Sequence, residues 1–339
     1  MRILFEITHP ADVHLFRYSI RDLKAHGHSV AVTSRDKDVT LSLLRAYGID
    51  HKCLSLKGKG LPRLALELLV RDWRLWKFAR EFAPELLIAR VGPCAAHVGM
   101  LIRRPVLIID DTEHAGLQQR LGFIFATRIC TSQHYEKDWG RKHIRYRSIG
   151  ELAYLHPNNF NPDPTVRKKL RISHADGFTL VRFVSGTAAH DAGHQRISWS
   201  QREQILKRLS QHGRVYVSSE QPLPDKMRHL QLPVEFDKFH DALACARLCF
   251  SEGATVAAEA AILGIPSVYV NRHRIGRLQY LQKKYRLVLN LPDMDIAVSA
   301  AEDLLGDPAS AAEWQKRRRD LLAAEEDMKA WLVSAIQSF

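Results

Sequence analysis

At 339 residues the chain is long for one hydrophobic core and comfortable for two, since domains commonly run from roughly 100 to 200 residues. Hydrophobic residues make up 46 % and charged residues 26 %, which marks globular material, and no run approaches the roughly 20 apolar residues that cross a bilayer. A formal charge of +13 suits anionic partners of several kinds, nucleotide, phospholipid surface or nucleic acid, without choosing among them.

The first apolar stretch, Ile3 to Ile7, holds Glu6, an acidic residue that a secretory leader would not carry, so it is expected to be the first strand of a cytoplasmic protein. The polar turn Thr8-His9-Pro10-Ala11-Asp12 follows, and then Val13, Phe16, Ile20 and Leu23 fall at helical spacing, with Asp12 the expected N-cap and Gly27 the stop. Ser29 to Thr33 predicts a second strand and Val39 to Tyr47 a second helix. Between 57 and 80 a basic segment sets Leu61, Leu64, Leu68, Leu69 and Trp76 beside Arg63, Arg71, Arg74, Lys77 and Arg80. Such a helix packs on its leucine side, the simpler reading, or lies on an anionic bilayer as a peripheral contact. No helix-turn-helix, zinc finger or aromatic–basic sheet motif accompanies the charge, which argues against nucleic acid.

Leu86 to Ala89 and Val106 to Ile109 are further strands, so residues 1–152 follow the βαβ order of a mostly parallel sheet. Residues 153–165 carry three prolines and three asparagines, the expected linker. A second domain, 166–308, starts afresh with strands at 178–184, 214–217 and 265–270, and with a helix over 200–210 whose Ser200 and Glu203 stand at capping-box spacing. Residues 309–339 predict one or two helices that pack outside and could cross back to the first domain. The fold class expected is therefore α/β, two Rossmann-like domains whose parallel sheets face a central cleft. The five cysteines form no CxxC pair and are expected to be reduced thiols, without a zinc site.

Both domains open a helix after a buried strand and a polar turn, where backbone N–H groups converge on polar or anionic ligands. In the first, His14 is expected near the exposed start of its helix as a base for a sugar hydroxyl, with Asp12 beside it; a surface histidine is the plain alternative. Asp110-Asp111-Thr112-Glu113-His114 closes strand 106–109; Asp111 or Glu113 is expected to act directly, or these residues cap the next helix. In the second, Arg182, Ser185, Gly186, Thr187 and His190 could meet a pyrophosphate. His190, Asp191 and His194 lack the glutamate and firm helix of a zinc-peptidase motif, so no metal site is expected there. The strongest local signal is Glu252-Gly253-Ala254-Thr255 ahead of an alanine-rich helix ending at Gly264. Gly253 permits close approach or positive φ, the helix start suits a phosphate, and Glu259, one turn on from Thr255, could accept from sugar or ribose hydroxyls. An ordinary alanine-rich packed helix is the alternative.

Taken together, Ile3 to His14, Asp111 to His114, Arg182 to Asp191 and Glu252 to Pro266 resemble the domain of unknown function 354 family, over roughly residues 1–305. The resemblance implies a GT-B glycosyltransferase-like fold with a nucleotide-diphosphate sugar held mainly by the second domain. Gly253, Ala254 and Thr255 would meet the diphosphate and Glu259 the hydroxyls, while His14 or a carboxylate of 111–113 would serve as base. Related folds often place two glycines where this chain has Gly253-Ala254, which could narrow the phosphate pocket. The implied activity is transfer to a hydroxyl acceptor, lipid-linked or polysaccharide, at or near the membrane's inner face and with no tightly bound cofactor. Nucleotide-sugar 2-epimerisation, or a non-enzymatic basic membrane-binding role, is the alternative.

Overall fold

The structure, a computed structural model, describes residues 1–58, 60–111, 116–173, 176–185, 197–272 and 275–339. It divides into two compact units, 1–159 with 325–339, and 160–324. In the first unit the order is β1 (Arg2–Ile7), α1 (Pro10–Ala25), β2 (Ser29–Asp36), α2 (Thr40–Ala46), β3 (Lys52–Leu56), α3 (Leu61–Phe82), β4 (Leu86–Arg90), α4 (Pro93–Leu101), β5 (Val106–Asp110), α5 (Gly116–Phe123), β6 (Arg128–Ser132), β7 (His143–Tyr146) and α6 (Leu152–Leu155). The second unit holds α7 (Val166–Lys169), β8 (Phe178–Phe183), α8 (Trp199–Ser210), β9 (Val215–Ser219), α9 (Phe239–Leu243), β10 (Ala246–Ser251), α10 (Ala254–Ile262), β11 (Ser267–Tyr269), α11 (Gly276–Tyr285), β12 (Val288–Asn290), α12 (Met294–Gly306) and α13 (Ser310–Ala324). The chain then returns to the first unit with α14 (Met328–Gln337).

Both sheets are parallel, in the orders β3-β2-β1-β4-β5-β6-β7 and β12-β11-β10-β8-β9. The strand order reverses between β1 and β4 in one and between β8 and β10 in the other. Loops leaving the carboxyl ends of strands at such a reversal diverge to opposite faces of the sheet, and a crevice opens there. Near-continuous apolar runs form the strands because both faces of each sheet are covered. Leu4, Leu87, Ile108 and Ile129 pack beneath Leu75, Ala79 and Ala95 of α3 and α4, and Val181, Phe183, Leu248 and Phe250 pack with Leu206, Leu209 and Val298 in the second unit.

Several local expectations are corrected. His9, not Asp12, caps α1: its backbone is extended and its Nδ1 accepts from the Ala11 N–H at 3.1 Å, which places Asp12 inside the first turn. Ser198, not Ser200, caps α8 in a reciprocal box with Gln201, because the helix begins two residues earlier than its leucines suggest. The stretch 153–165 is shared out: Tyr154 and Leu155 are buried in the first unit, while Phe160 starts the second and edges onto the His240 ring at 6.4 Å.

Arg71 is the least like its expectation. It is 5 % exposed, lying 3.4 Å from Glu6 and 3.3 Å from Glu67, and Glu67 also receives Arg35. Glu6 in turn accepts from the Ala95 N–H at 2.9 Å and so caps α4 from beneath, and a Cβ at Gly92 would stand 2.7 Å from its carboxylate. The acidic residue of the first strand is therefore half of a buried ion-pair network, held above its ordinary pKa by burial against the pull of Arg71.

Helix α14 is anchored by Asp327, which accepts from the N–H groups of Lys329 and Ala330 and from the side-chain amides of Asn158 and Asn159. Lys329 reaches Asp22 of α1 at 2.6 Å, and Met328, Leu332 and Ile336 are fully buried.

Candidate functional site

In the first unit the reversal between β1 and β4 gathers charged groups. Asp12, 1 % exposed, accepts at Oδ2 from the Thr8 N–H (2.9 Å) and hydroxyl (3.2 Å), and at Oδ1 from Arg90 (3.2 Å), the last residue of β4. The same guanidinium donates through Nε and Nη2 to Asp111 Oδ1 at 3.1 and 2.6 Å, so one arginine bridges the first turn of α1 to the residue after β5. Burial pushes the Asp12 carboxyl above its ordinary range even against Arg90 and Thr8. Burial alone would loosen the proton of Arg90, but Asp111 and Asp12 more than reverse this and its pKa rises. His9 borders the same group, and burial, Lys37 and Arg90 push its imidazole down to about 3. With Nδ1 accepting from Ala11, a neutral His9 carries its proton on Nε2. Asp110 is turned inward and wholly buried, accepting from Gln119 at 2.9 Å and Tyr135 at 2.6 Å.

His14 stands elsewhere on the helix. Two positions on from Asp12 it points to a different face, half-buried between Tyr47 and Tyr154 with ring centroids at 5.9 and 5.4 Å. The structure thus joins Asp12 and Asp111 through Arg90, while His14 packs against the two tyrosine rings. Thr112, Glu113 and His114 lie outside the described residues.

In the second unit the reversal between β8 and β10 holds the start of α10. Gly253 is its N-cap, with extended backbone at φ −102° rather than the positive φ that glycine also allows; what favours glycine is the approach of Val184, whose Cγ1 would lie 3.1 Å from a Cβ. The turn is closed by Ser251, which accepts from the Gly253 N–H at 3.0 Å and donates to its carbonyl at 2.7 Å. Among the described residues no side chain caps the N–H groups of this helix start, which therefore carries the positive end of the helix dipole. Gly264, at φ +73°, closes the helix as expected.

Charged groups around this start are sorted. Glu252, 6 % exposed, is gripped by Arg202 at 2.7 and 3.2 Å and accepts from the Val184 N–H; burial raises its pKa against the pull of Arg202. Glu259, 4 % exposed, lies 3.0 Å from His240 Nε2, so a hydroxyl reaching it meets a carboxylate already engaged. Arg182 donates to Ser218 and to Glu220, and Glu220 also accepts from the Ser185 N–H at 3.0 Å. Gly186, Thr187 and His190 lie outside the described residues. Among the described residues Arg277 of α11 also stands at the helix start, donating to the Thr255 hydroxyl at 3.0 Å.

Arg90, His240 and Arg277 were not singled out in the sequence. Arg90 and Arg277 had a signal, since each follows an apolar strand, the second within the basic run Asn271-Arg272-His273-Arg274-Ile275-Gly276-Arg277. Among the described residues no three His, Cys, Asp or Glu side chains are grouped to hold a metal ion.

Comparison with known proteins places this architecture. The UDP-GlcNAc 2-epimerase of Neisseria meningitidis, solved with UDP-GlcNAc bound, superposes with a TM-score of 0.67 at 12 % identity, covering 100 % of both chains. The spinosyn forosaminyltransferase SpnP superposes at 0.64 and 14 % identity, covering 98 % of this chain and 99 % of its own. Such likeness shows the fold, two parallel-sheet α/β units of the GT-B type. An uncharacterized protein of Methanocaldococcus jannaschii is 25 % identical over 316 residues, 90 % of this chain and 92 % of that one. A family model described as a protein of unknown function, DUF354, matches residues 1–322. The chain belongs to the DUF354 family.

Proposed function

We propose that the protein is an enzyme acting on a nucleotide-diphosphate sugar, and that it transfers the sugar to a hydroxyl acceptor. One observation carries this reading: at the reversal of the second sheet a helix starts with its N–H groups uncapped by any described side chain, its neighbouring acids are drawn into Arg202 and His240, and Arg277 stands at Thr255. That is the electrostatics a leaving diphosphate requires. In the reaction the acceptor oxygen bonds to the anomeric carbon, the bond to the diphosphate oxygen breaks, and the departing charge falls on the start of α10 and Arg277. The acceptor's proton passes to a carboxylate acting as general base. The scheme asks for no bound metal, because backbone dipoles and arginine carry the charge. Fold neighbours that by name act on UDP-GlcNAc or transfer a forosaminyl group support the substrate class.

The two acids bridged by Arg90 would also serve proton exchange at a sugar carbon, which makes 2-epimerisation the second reading. Titration calorimetry with UDP is expected to show binding that Arg277→Ala weakens ~10- to 100-fold, the loss of a charge-assisted contact. Incubation with UDP-GlcNAc and no acceptor, followed by NMR, separates the two chemistries: formation of the manno epimer would reject transfer. Failure to bind any nucleoside diphosphate would reject both.

A further inference from the structure

The helical layer over one face of the first sheet is apolar on its outside as well as its inside. Helix α3 buries Leu75, Ala79 and Arg71 inward, yet Leu66, Leu69 and Trp73 stand 63, 66 and 58 % exposed at i, i+3, i+7 spacing, a single stripe along its outer side. His97 of α4 ties α3 to α5, its Nδ1 2.8 Å from Asp72 and its Nε2 3.1 Å from the Leu121 carbonyl, and α5 adds exposed Leu117 and Leu121 to the same layer. Most large hydrophobic side chains exposed by the described residues come from α3 to α5 and the residue after α5. A cluster of this kind on a folded unit marks a docking surface.

Charge identifies what docks. Arg63, Arg74, Lys77 and Arg80 are exposed along α3, whereas its acids Glu67 and Asp72 are turned to Arg71 and His97, leaving Glu81 as the exposed acid of the helix. A second copy related by a two-fold axis would set these cations against one another. An anionic lipid surface instead receives them at its phosphates while the leucines enter the acyl boundary and Trp73 lies at headgroup depth. Among the described residues no helix is long and apolar enough to cross a membrane, so the contact is made from the surface. We propose that the α3–α5 face of the first unit docks on an anionic bilayer, with α3 lying flat in the interface.

The intact protein is tested by co-sedimentation with phosphatidylcholine vesicles, with and without phosphatidylglycerol, alongside size-exclusion chromatography. Expected is binding to the anionic vesicles only, weakened by added salt, reduced by ~tenfold or more in Lys77→Glu/Arg80→Glu and abolished in Leu66→Ser/Leu69→Ser/Trp73→Ser. All five side chains are exposed, so both variants should keep the wild-type unfolding midpoint, which chemical denaturation checks. Absence of wild-type binding, or a triple variant that binds as wild type, overturns the proposal. A wild-type dimer that the triple variant dissolves, with no vesicle binding, assigns the face to a second copy instead. Neither vesicle binding nor self-association leaves it to a different protein, which also overturns the lipid assignment.

Discussion

At the reversal of the first sheet Asp12 and Asp111 share Arg90, so two carboxylates are locked onto one guanidinium with His9 neutral beside them. At the reversal of the second, the acids Glu252 and Glu259 lie against Arg202 and His240, and Arg277 donates to Thr255 at the start of α10. The same topology thus carries opposite electrostatics. A crevice furnished with excess carboxylate suits hydroxyls and protons, and one where no described side chain caps the helix N–H groups suits an anion. Each furnishing also has its own cost: side-chain charge must be paired to be buried, whereas a helix dipole needs no counter-ion in the fold.

Three variants test that contrast. Arg90→Ala should cause the largest change, since it leaves Asp12 and Asp111 without their shared partner; a loss of ~3–5 kcal/mol in unfolding free energy is expected by urea denaturation, with UDP affinity of the second unit unaltered. Were UDP binding to fall in parallel in a folded Arg90→Ala protein, the division of labour would be lost. His9→Asn should come next. The folded His9 is held at about 3, below its ordinary 6.5, so its neutral form stabilises the fold fully above 6.5 and that contribution is lost as pH falls towards 3. The asparagine keeps a capping side chain and removes the titration; the variant should therefore lose ~2 kcal/mol less than wild type between pH 7 and pH 5. Unfolding curves of equal acid sensitivity would refute the burial of His9. Thr255→Val should be mildest, loosening the anchor of Arg277 and weakening UDP binding ~3- to 10-fold, a neutral hydrogen bond's worth, without changing stability at Arg90.

How much of this was readable beforehand follows a physical line. Strands such as Val106 to Ile109 were legible because burial on both faces forces unbroken apolar runs, and α10 because glycine, alanines and a glycine stop bracket it. Pairings were not. Arg90 and Asp12 are 78 residues apart, and nothing local marks Arg71 as buried and Lys77 as exposed when both sit on one basic helix. Caps slipped by small offsets, Ser198 for Ser200 and His9 for Asp12, because apolar spacing locates a helix face more sharply than its first turn. The role of Gly253 was visible, but its reason, close approach rather than positive φ, needed the position of Val184.

The return of α14 to the first unit has a consequence for how the polypeptide matures. Its buried Met328, Leu332 and Ile336 cover α1 and α6, yet they follow the whole second unit in the chain. On the ribosome the second unit must emerge before that cover does, so the face of α1 and α6 waits bare through the synthesis of 165 residues numbered 160–324. Nascent-chain lengths arrested short of Glu325 should therefore be the ones that chaperones hold.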